Sequence, residues 1–175
     1  NTGIVFHPSP LDVGAIGELC SKYRISLLVV TPTFLQLYLR RCTPEQFSYL
    51  RVVLTGAEKL PLRLVQAFQD KFGIVPVEGY GVTECAPVIS SNCPDFRASG
   101  FYQVASRRGT VGQPFPGVSV RIVDPETWAI LPPGQAGMLL VKGPNVMSGY
   151  LGREDLTAKA MKDGWYITGD IATLD

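Results

Sequence analysis

The sequence predicts an α/β fold in two parts: a partial parallel sheet with helices, then a small antiparallel, barrel-like β subdomain. Three observations carry that expectation. In the first half, short apolar runs alternate with stretches whose apolar residues recur at helical spacing. Near residue 109 the texture changes to short alternating strands separated by Pro/Gly turns. The composition, 46% hydrophobic and 18% charged over 175 residues, is that of a globular chain long enough for one real core or two small ones. The expected division is 1–108 for the α/β part and 109–175 for the β-rich part.

Taken in order, Ser9-Pro10 with Asp12 reads as a helix start, with a capping hydroxyl, a proline at the first helical position and an acid near the positive dipole end. Ile16, Leu19, Cys20 and Tyr23 follow on one face. Residues 25–30 (ISLLVV) form a continuous apolar run, as expected for a strand covered on both faces. Thr31-Pro32 opens a second helix with Phe34, Leu35 and Tyr38 inward, and Thr43 with Gln46 resembles a capping box opening a short third one. Residues 51–55 (RVVLT) are the next buried strand, leading into Gly56-Ala57-Glu58-Lys59-Leu60. Pro61 then begins a helix striped by Leu64, Val65, Phe68 and Phe72 and ended by Gly73. A strand over 74–78 breaks at Gly79-Tyr80-Gly81. Strands separated by helices imply parallel pairing, and ligands gather at the carboxyl ends of such strands, where Gly56-Ala57-Glu58 and residues 79–84 both lie.

Residues 90–110 read as a long polar loop, of a length that is functional or mobile. Beyond it, residues 118–123 (VSVRIV) alternate, Asp124-Pro125 and Leu131-Pro132-Pro133-Gly134 turn the chain, and Gly137–Lys142 is another strand. Residues 143–150 (GPNVMSGY) look like a structural turn and strand. A helix over about 153–161 precedes the Asp163-Gly164 turn.

Sixteen basic and fifteen acidic residues leave a net charge of +1, which gives no pull toward nucleic acid or an anionic membrane. Apolar runs such as Leu27–Val30 fall far short of the about 20 residues a bilayer needs. Cys20, Cys42, Cys85 and Cys93 form no C-x-x-C pair, and His7, the one histidine, lies away from them; reduced, mostly buried thiols are expected, with neither disulfides nor a zinc site. No signal peptide is expected at the start of this sequence. It starts at Asn1 without a methionine and stops at Asp175 just after a motif-like segment, and is read as part of a longer protein.

Four segments carry candidate chemistry. In Gly79-Tyr80-Gly81-Val82-Thr83-Glu84, an aromatic ring suits a nucleobase, a hydroxyl suits a phosphate oxygen and a carboxylate suits Mg²⁺. Taken alone, the six residues read better as a tight turn with a half-exposed tyrosine. Asp170, after Gly169, has the two acceptors that a ribose diol needs, though by itself it reads as an ordinary turn. Gly56-Ala57-Glu58 could lay its backbone along a base edge or be a plain strand-to-helix loop. Phe34, Leu35 and Tyr38 could line an acyl pocket, but a helix stripe is more often core. Cys85 beside Glu84 is rejected as a nucleophile, since no histidine stands near it in sequence.

In combination the segments say more. LTGAEKLP, EGYGVTECAPV, GTVGQPFPGV, GPNVMSGYL and GWYITGD occur in order and resemble the signature blocks of the adenylate-forming superfamily over about residues 25–175. GAEKL, GYGVTECAPV and GPNVMSGYL look like the acyl-carrier-protein synthetase part of bacterial 2-acylglycerophosphoethanolamine acyltransferases. The resemblance implies an acid–thiol ligase that uses ATP and Mg²⁺ to form acyl-AMP from a fatty acid. The acyl group would pass to an acyl carrier protein, and onward to a lysophospholipid, with coenzyme A as the alternative acceptor. It implies that Tyr80 stacks on adenine, with Gly56, Ala57, Glu58, Gly79 and Gly81 around it. Thr83 would meet the α-phosphate, Glu84 the metal, and Asp170 the ribose hydroxyls; Thr83 and Glu84 are the expected catalytic pair. It places the protein in the cytoplasm, or at the cytoplasmic face of the inner membrane through another domain.

The family's phosphate loop and its C-terminal lid with a catalytic lysine have no counterpart in this sequence. The chain alone is therefore expected to be inactive. Met138 stands where the family usually has glutamate. A scaffold that keeps these blocks only for packing is the rival reading.

Overall fold

Asp12, rather than Ser9, starts the first helix: its carboxylate accepts from the Ala15 amide at 3.2 Å and leaves Pro10 in the preceding turn. The structure, a computed structural model, describes residues 3–175. Helix α1 spans Val13–Lys22, so Tyr23 becomes its C-cap and lies exposed instead of continuing the buried face. Strand β1 (Leu27–Val30) follows, then α2 (Pro32–Arg41), capped by the Thr31 hydroxyl, with Leu35 and Tyr38 buried as expected. The Thr43/Gln46 capping box forms, with bonds of 2.9 and 3.4 Å, but only hydrogen-bonded turns follow it, not a helix. Next come β2 (Val52–Thr55), α3 (Leu62–Phe72) with Gly73 as a left-handed C-cap, and β3 (Val77–Gly81).

After β3 a single 3₁₀ turn covers Thr83–Cys85, followed by β4 (Val88–Ser91). The expected loop over 90–110 contains a hairpin, β5 (Phe96–Ala98) with β6 (Phe101–Gln103). The β-rich part consists of β7 (Gln113–Pro114), β8 (Ser119–Val123), β9 (Gly137–Lys142), α4 (Glu154–Ala160), β10 (Met161–Lys162) and β11 (Trp165–Ala172). Residues 143–150 form turns and bends with no strand.

The chain folds as two compact units, residues up to Tyr80 with Ser91–Gly112, and Gly81–Ser90 with Gln113–Asp175. In the first, β1, β2 and β3 pair in parallel in that order, as the alternation of strands and helices predicts. The core lies beneath α1–α3, where Leu35, Val53 and Phe68 are fully enclosed and Phe47, Phe68 and Phe72 pack as a ring cluster with centroids 4.5–6.3 Å apart. β1 departs from expectation: Leu27 and Val29 are 52% and 68% exposed, because β1 is the edge strand and the core covers only the face bearing Leu28 and Val30.

In the second unit an antiparallel sheet in the order β10–β11–β9–β8 buries Ile122, Val123, Leu139, Leu140, Val141 and Tyr166. The predicted α/β-then-antiparallel architecture is the one observed. Among the described residues, no helix is long and apolar enough to cross a membrane. Cys20, Cys42 and Cys85 are buried free thiols and Cys93 is exposed.

Candidate functional site

In the first unit the strand ends set the geometry. β2 ends at Thr55, whose buried hydroxyl donates to the Val77 carbonyl at 3.0 Å, and the chain leaves through Gly56 and Ala57. Ala57 sits at φ +66, a left-handed conformation uncommon for a residue with a side chain. The loop is tied at two points. The Glu58 carboxylate accepts from the Thr33 hydroxyl (2.6 Å) and amide (3.3 Å), capping the first turn of α2, while Glu78 Oε1 accepts from the Leu60 amide at 2.9 Å. Both bonds from Thr33 go to Glu58 Oε2, which ties this side chain to the start of α2. Gly56 faces the Gly79 carbonyl, 3.7 Å from where a Cβ would stand, so these two expected site residues are brought together. Sequence reasoning missed Glu78, whose role depends on a partner 18 residues away.

The glycines around Tyr80 do not make the sharp turn expected of them. Both lie within β3, neither has a positive φ, and Tyr80 is half-buried. The reason for Gly81 is a close approach: a Cβ there would meet the Pro87 carbonyl oxygen at 1.9 Å.

In the second unit Thr83 begins the 3₁₀ turn and is exposed, and Glu84 follows, half-buried. The Tyr150 hydroxyl donates to Glu84 Oε1 at 2.7 Å. That bond, joined by a main-chain bond at Glu84, holds the Glu84 carboxyl below its usual range, so it is ionised at neutral pH. Tyr150 is raised in turn by the same bond, and Tyr166 is pushed up by burial and by the Glu84 charge. Neither phenol ionises near neutrality. Asn145 Nδ2 donates to the carbonyls of Cys85 and Val88, and its Oδ1 is buried without a hydrogen-bond partner. Tyr150, Tyr166 and Asn145 were not singled out from sequence; GPNVMSGYL and GWYITGD contain them, but only folding brings them to Glu84.

Asp170 lies on β11 just after Gly169 (φ +78), where the pairing with β9 shifts register between Ile167 and Ile171. The bulge and the bond from the Asp170 amide to Thr168 Oγ1 (3.0 Å) turn this residue out of the ladder, and its side chain is exposed.

No group of three or more His, Cys, Asp or Glu among the described residues could hold a metal unaided. Mg²⁺ keeps several waters and commonly takes one or two carboxylates plus substrate phosphates. A single ionised, half-buried carboxylate such as Glu84 fits a cation that arrives with a nucleotide. It does not fit a resident structural ion.

Comparison with known proteins bears on these residues together. The profile of the family described as AMP-binding enzyme matches residues 2–151. A feruloyl-CoA synthase from Amycolatopsis is 35% identical over 175 residues, covering 99% of this chain and 34% of that protein. A long-chain-fatty-acid–CoA ligase from Escherichia coli is 33% identical over 169 residues, covering 95% of this chain and 28% of its own. Among solved structures, MatB from Rhodopseudomonas palustris superposes with a TM-score of 0.79 at 35% identity, over 94% of this chain and 31% of that one. The chain spans about a third of the length of these relatives.

Proposed function

Because the chain belongs to the AMP-binding enzyme family, we propose that its intact protein adenylates a fatty carboxylate with ATP and passes the acyl group to a thiol. The observation that carries this reading is Glu84. It is an ionised carboxylate on a short turn after β3, held by Tyr150, at the position where the family resemblance puts a metal contact. The names of the relatives as CoA ligases and a solved ATP-bound MatB at 34% identity support the nucleotide and the acid–thiol ligase class.

The chemistry is an in-line attack. A carboxylate oxygen bonds to the α-phosphorus of ATP, the bond to the bridging oxygen breaks, and pyrophosphate leaves. The acceptor sulfur then attacks the acyl carbon and AMP leaves. Mg²⁺, met by Glu84 together with the phosphates, would supply charge neutralisation along the triphosphate. Tyr80 stacks on the adenine, with Gly56, Ala57, Glu58, Gly79 and Gly81 lining that end. Thr83 donates to the α-phosphate, and Asp170 accepts the ribose hydroxyls. In this assignment residues 1–108 hold the base and phosphate contacts, and 109–175 the ribose contact. Fixing the two reactants in line and stabilising the charge that develops would account for most of the acceleration.

The acceptor is a thiol of coenzyme A or of an acyl carrier protein. The relatives' names favour the first, and the GAEKL and GPNVMSGYL wording favours the second. The test is ATP–pyrophosphate exchange by the full-length protein with fatty acids of several lengths, followed by acyl transfer to each thiol in turn. Fatty-acid-dependent exchange is expected, with Glu84→Gln and Asp170→Asn each lowering it by about a hundredfold. Undiminished exchange in both variants, or none with any carboxylate from a folded protein, would leave a scaffold that keeps these segments for packing. The chain by itself is expected to release no pyrophosphate from ATP with palmitate.

A further inference from the structure

One loop grips the turn that carries Glu84. Asn145 donates from Nδ2 to the carbonyls of Cys85 (2.9 Å) and Val88 (3.2 Å), and the Met147 amide donates to the Glu84 carbonyl at 2.7 Å. These three bonds fix the main chain at and after Glu84. The fourth, from the Tyr150 hydroxyl to Oε1, fixes the carboxylate itself.

The loop is anchored independently of Glu84. At its start the Val146 amide bonds to the Gly143 carbonyl at 3.2 Å, and Gly143 lies so close to Asn145 Oδ1 that a Cβ would stand 2.7 Å from it. At its end the Tyr150 amide donates to Thr157 Oγ1 on α4 (2.9 Å), and Gly149 packs so tightly there that a Cβ would meet Thr157 at 2.9 Å. Thr157 Oγ1 in turn donates to the Arg153 carbonyl at the start of α4. The Tyr150 hydroxyl is therefore delivered from α4 and the end of β9. A carboxylate held this way has lost its rotamer freedom on folding and offers one orientation to an incoming ligand.

We propose that Tyr150 is a positioning residue: anchored through α4, its hydroxyl fixes the Glu84 carboxylate in the orientation that receives the divalent cation of the bound nucleotide. This rests on the reading of Glu84 as the metal contact. A hydroxyl is suited to the task because it satisfies one carboxylate oxygen without adding a charge that would repel the cation. Outer partners of metal-binding groups commonly change metal affinity by about 10- to 100-fold when removed.

The experiment is calorimetric binding of ATP to the full-length protein, in EDTA and in saturating Mg²⁺, reading the ratio of the two dissociation constants. Tyr150→Phe is expected to lower that ratio about tenfold while leaving binding in EDTA unchanged, and Glu84→Gln to lower it further. The double variant should match Glu84→Gln alone, since the effect of Tyr150 on the cation runs through that carboxylate, although its hydroxyl also meets Tyr166. If Glu84→Gln keeps the wild-type ratio, the metal reading fails and the proposal with it. If Glu84→Gln loses the ratio but Tyr150→Phe keeps it, or the two losses simply add, the metal reading stands and the role of Tyr150 is wrong. Should Tyr150→Phe not fold, Thr157→Val gives the same test by loosening the anchor: a lowered ratio with intact binding in EDTA is expected, and an unchanged ratio overturns the proposal.

Discussion

At Gly81 a single hydrogen atom decides whether the chain can pass. A Cβ there would stand 1.9 Å from the Pro87 carbonyl oxygen and 2.8 Å from the Val88 Cα, so backbone would have to move. Gly81→Ala is expected to destabilise the chain by about 3 kcal/mol, read from the midpoint of a urea titration at unchanged slope; a shift within error would show that the turn relaxes freely. The glycine was legible in the sequence but its reason was not, because the crowding comes from Pro87 across the turn and not from a positive φ. The thiols were easier to read. Burial pushes Cys20, Cys42 and Cys85 up to about 11, from an ordinary 9.0. A thiol reagent at pH 8 should therefore modify Cys93 quickly and the other three only at the rate of unfolding. Rapid modification of all four in the folded chain would refute the burial. The same shift has a sign for stability: above about 9 the unfolded chain ionises these thiols and the folded one does not, so stability falls as pH rises toward 11.

At the scale of elements, the hairpin of β5 and β6 turns on one carboxylate. Asp95 Oδ1 accepts from the Ala105 amide at 2.9 Å and Oδ2 from the Tyr102 hydroxyl at 2.9 Å, closing the base of a segment whose side chains are almost all exposed. These bonds hold the Asp95 carboxyl below its usual 3.8, the Ala105 amide most of all. The stabilisation is therefore complete above that value and is lost as pH falls through the lower folded value. Amide exchange at Ala105 should be slow at pH 5 relative to an unstructured amide and lose that protection in strong acid. Asp95→Asn should lose part of it already at pH 5; equal protection in the variant would mean that the carboxylate is not what closes the hairpin. The sequence suggested only a polar loop here, since a three-residue strand pair with no buried face leaves no period to detect. The helices α2 and α3 were legible for the opposite reason, each having a stripe of buried apolar residues and a defined start. The candidate site falls between these cases. Glu84, Thr83 and Asp170 sit in recognisable motifs, whereas Tyr150 reaches Glu84 across 66 residues and could be found only in the fold.

At the scale of the molecule, the edge of the parallel sheet is an open apolar surface. A run such as ISLLVV reads as a strand covered on both faces, yet within the described residues β1 pairs only with β2, and Leu27 and Val29 are 52% and 68% exposed on one side. An open edge of this kind combines an unpaired row of main-chain groups with adjacent apolar side chains, the arrangement that recruits another strand. The chain in isolation should therefore self-associate. Sedimentation velocity over a hundredfold range of concentration should show a sedimentation coefficient that rises with loading, and Leu27→Glu with Val29→Lys should suppress the rise. Because both side chains lie outside the core, the double variant should keep its unfolding free energy to within about 0.5 kcal/mol. A monomer at every concentration for the unaltered chain would show that this edge is too short, or too well guarded by its neighbours, to pair. Association that survives both substitutions would place the sticky surface elsewhere, with the exposed Phe96 and Phe101 of the β5–β6 hairpin the next residues to change.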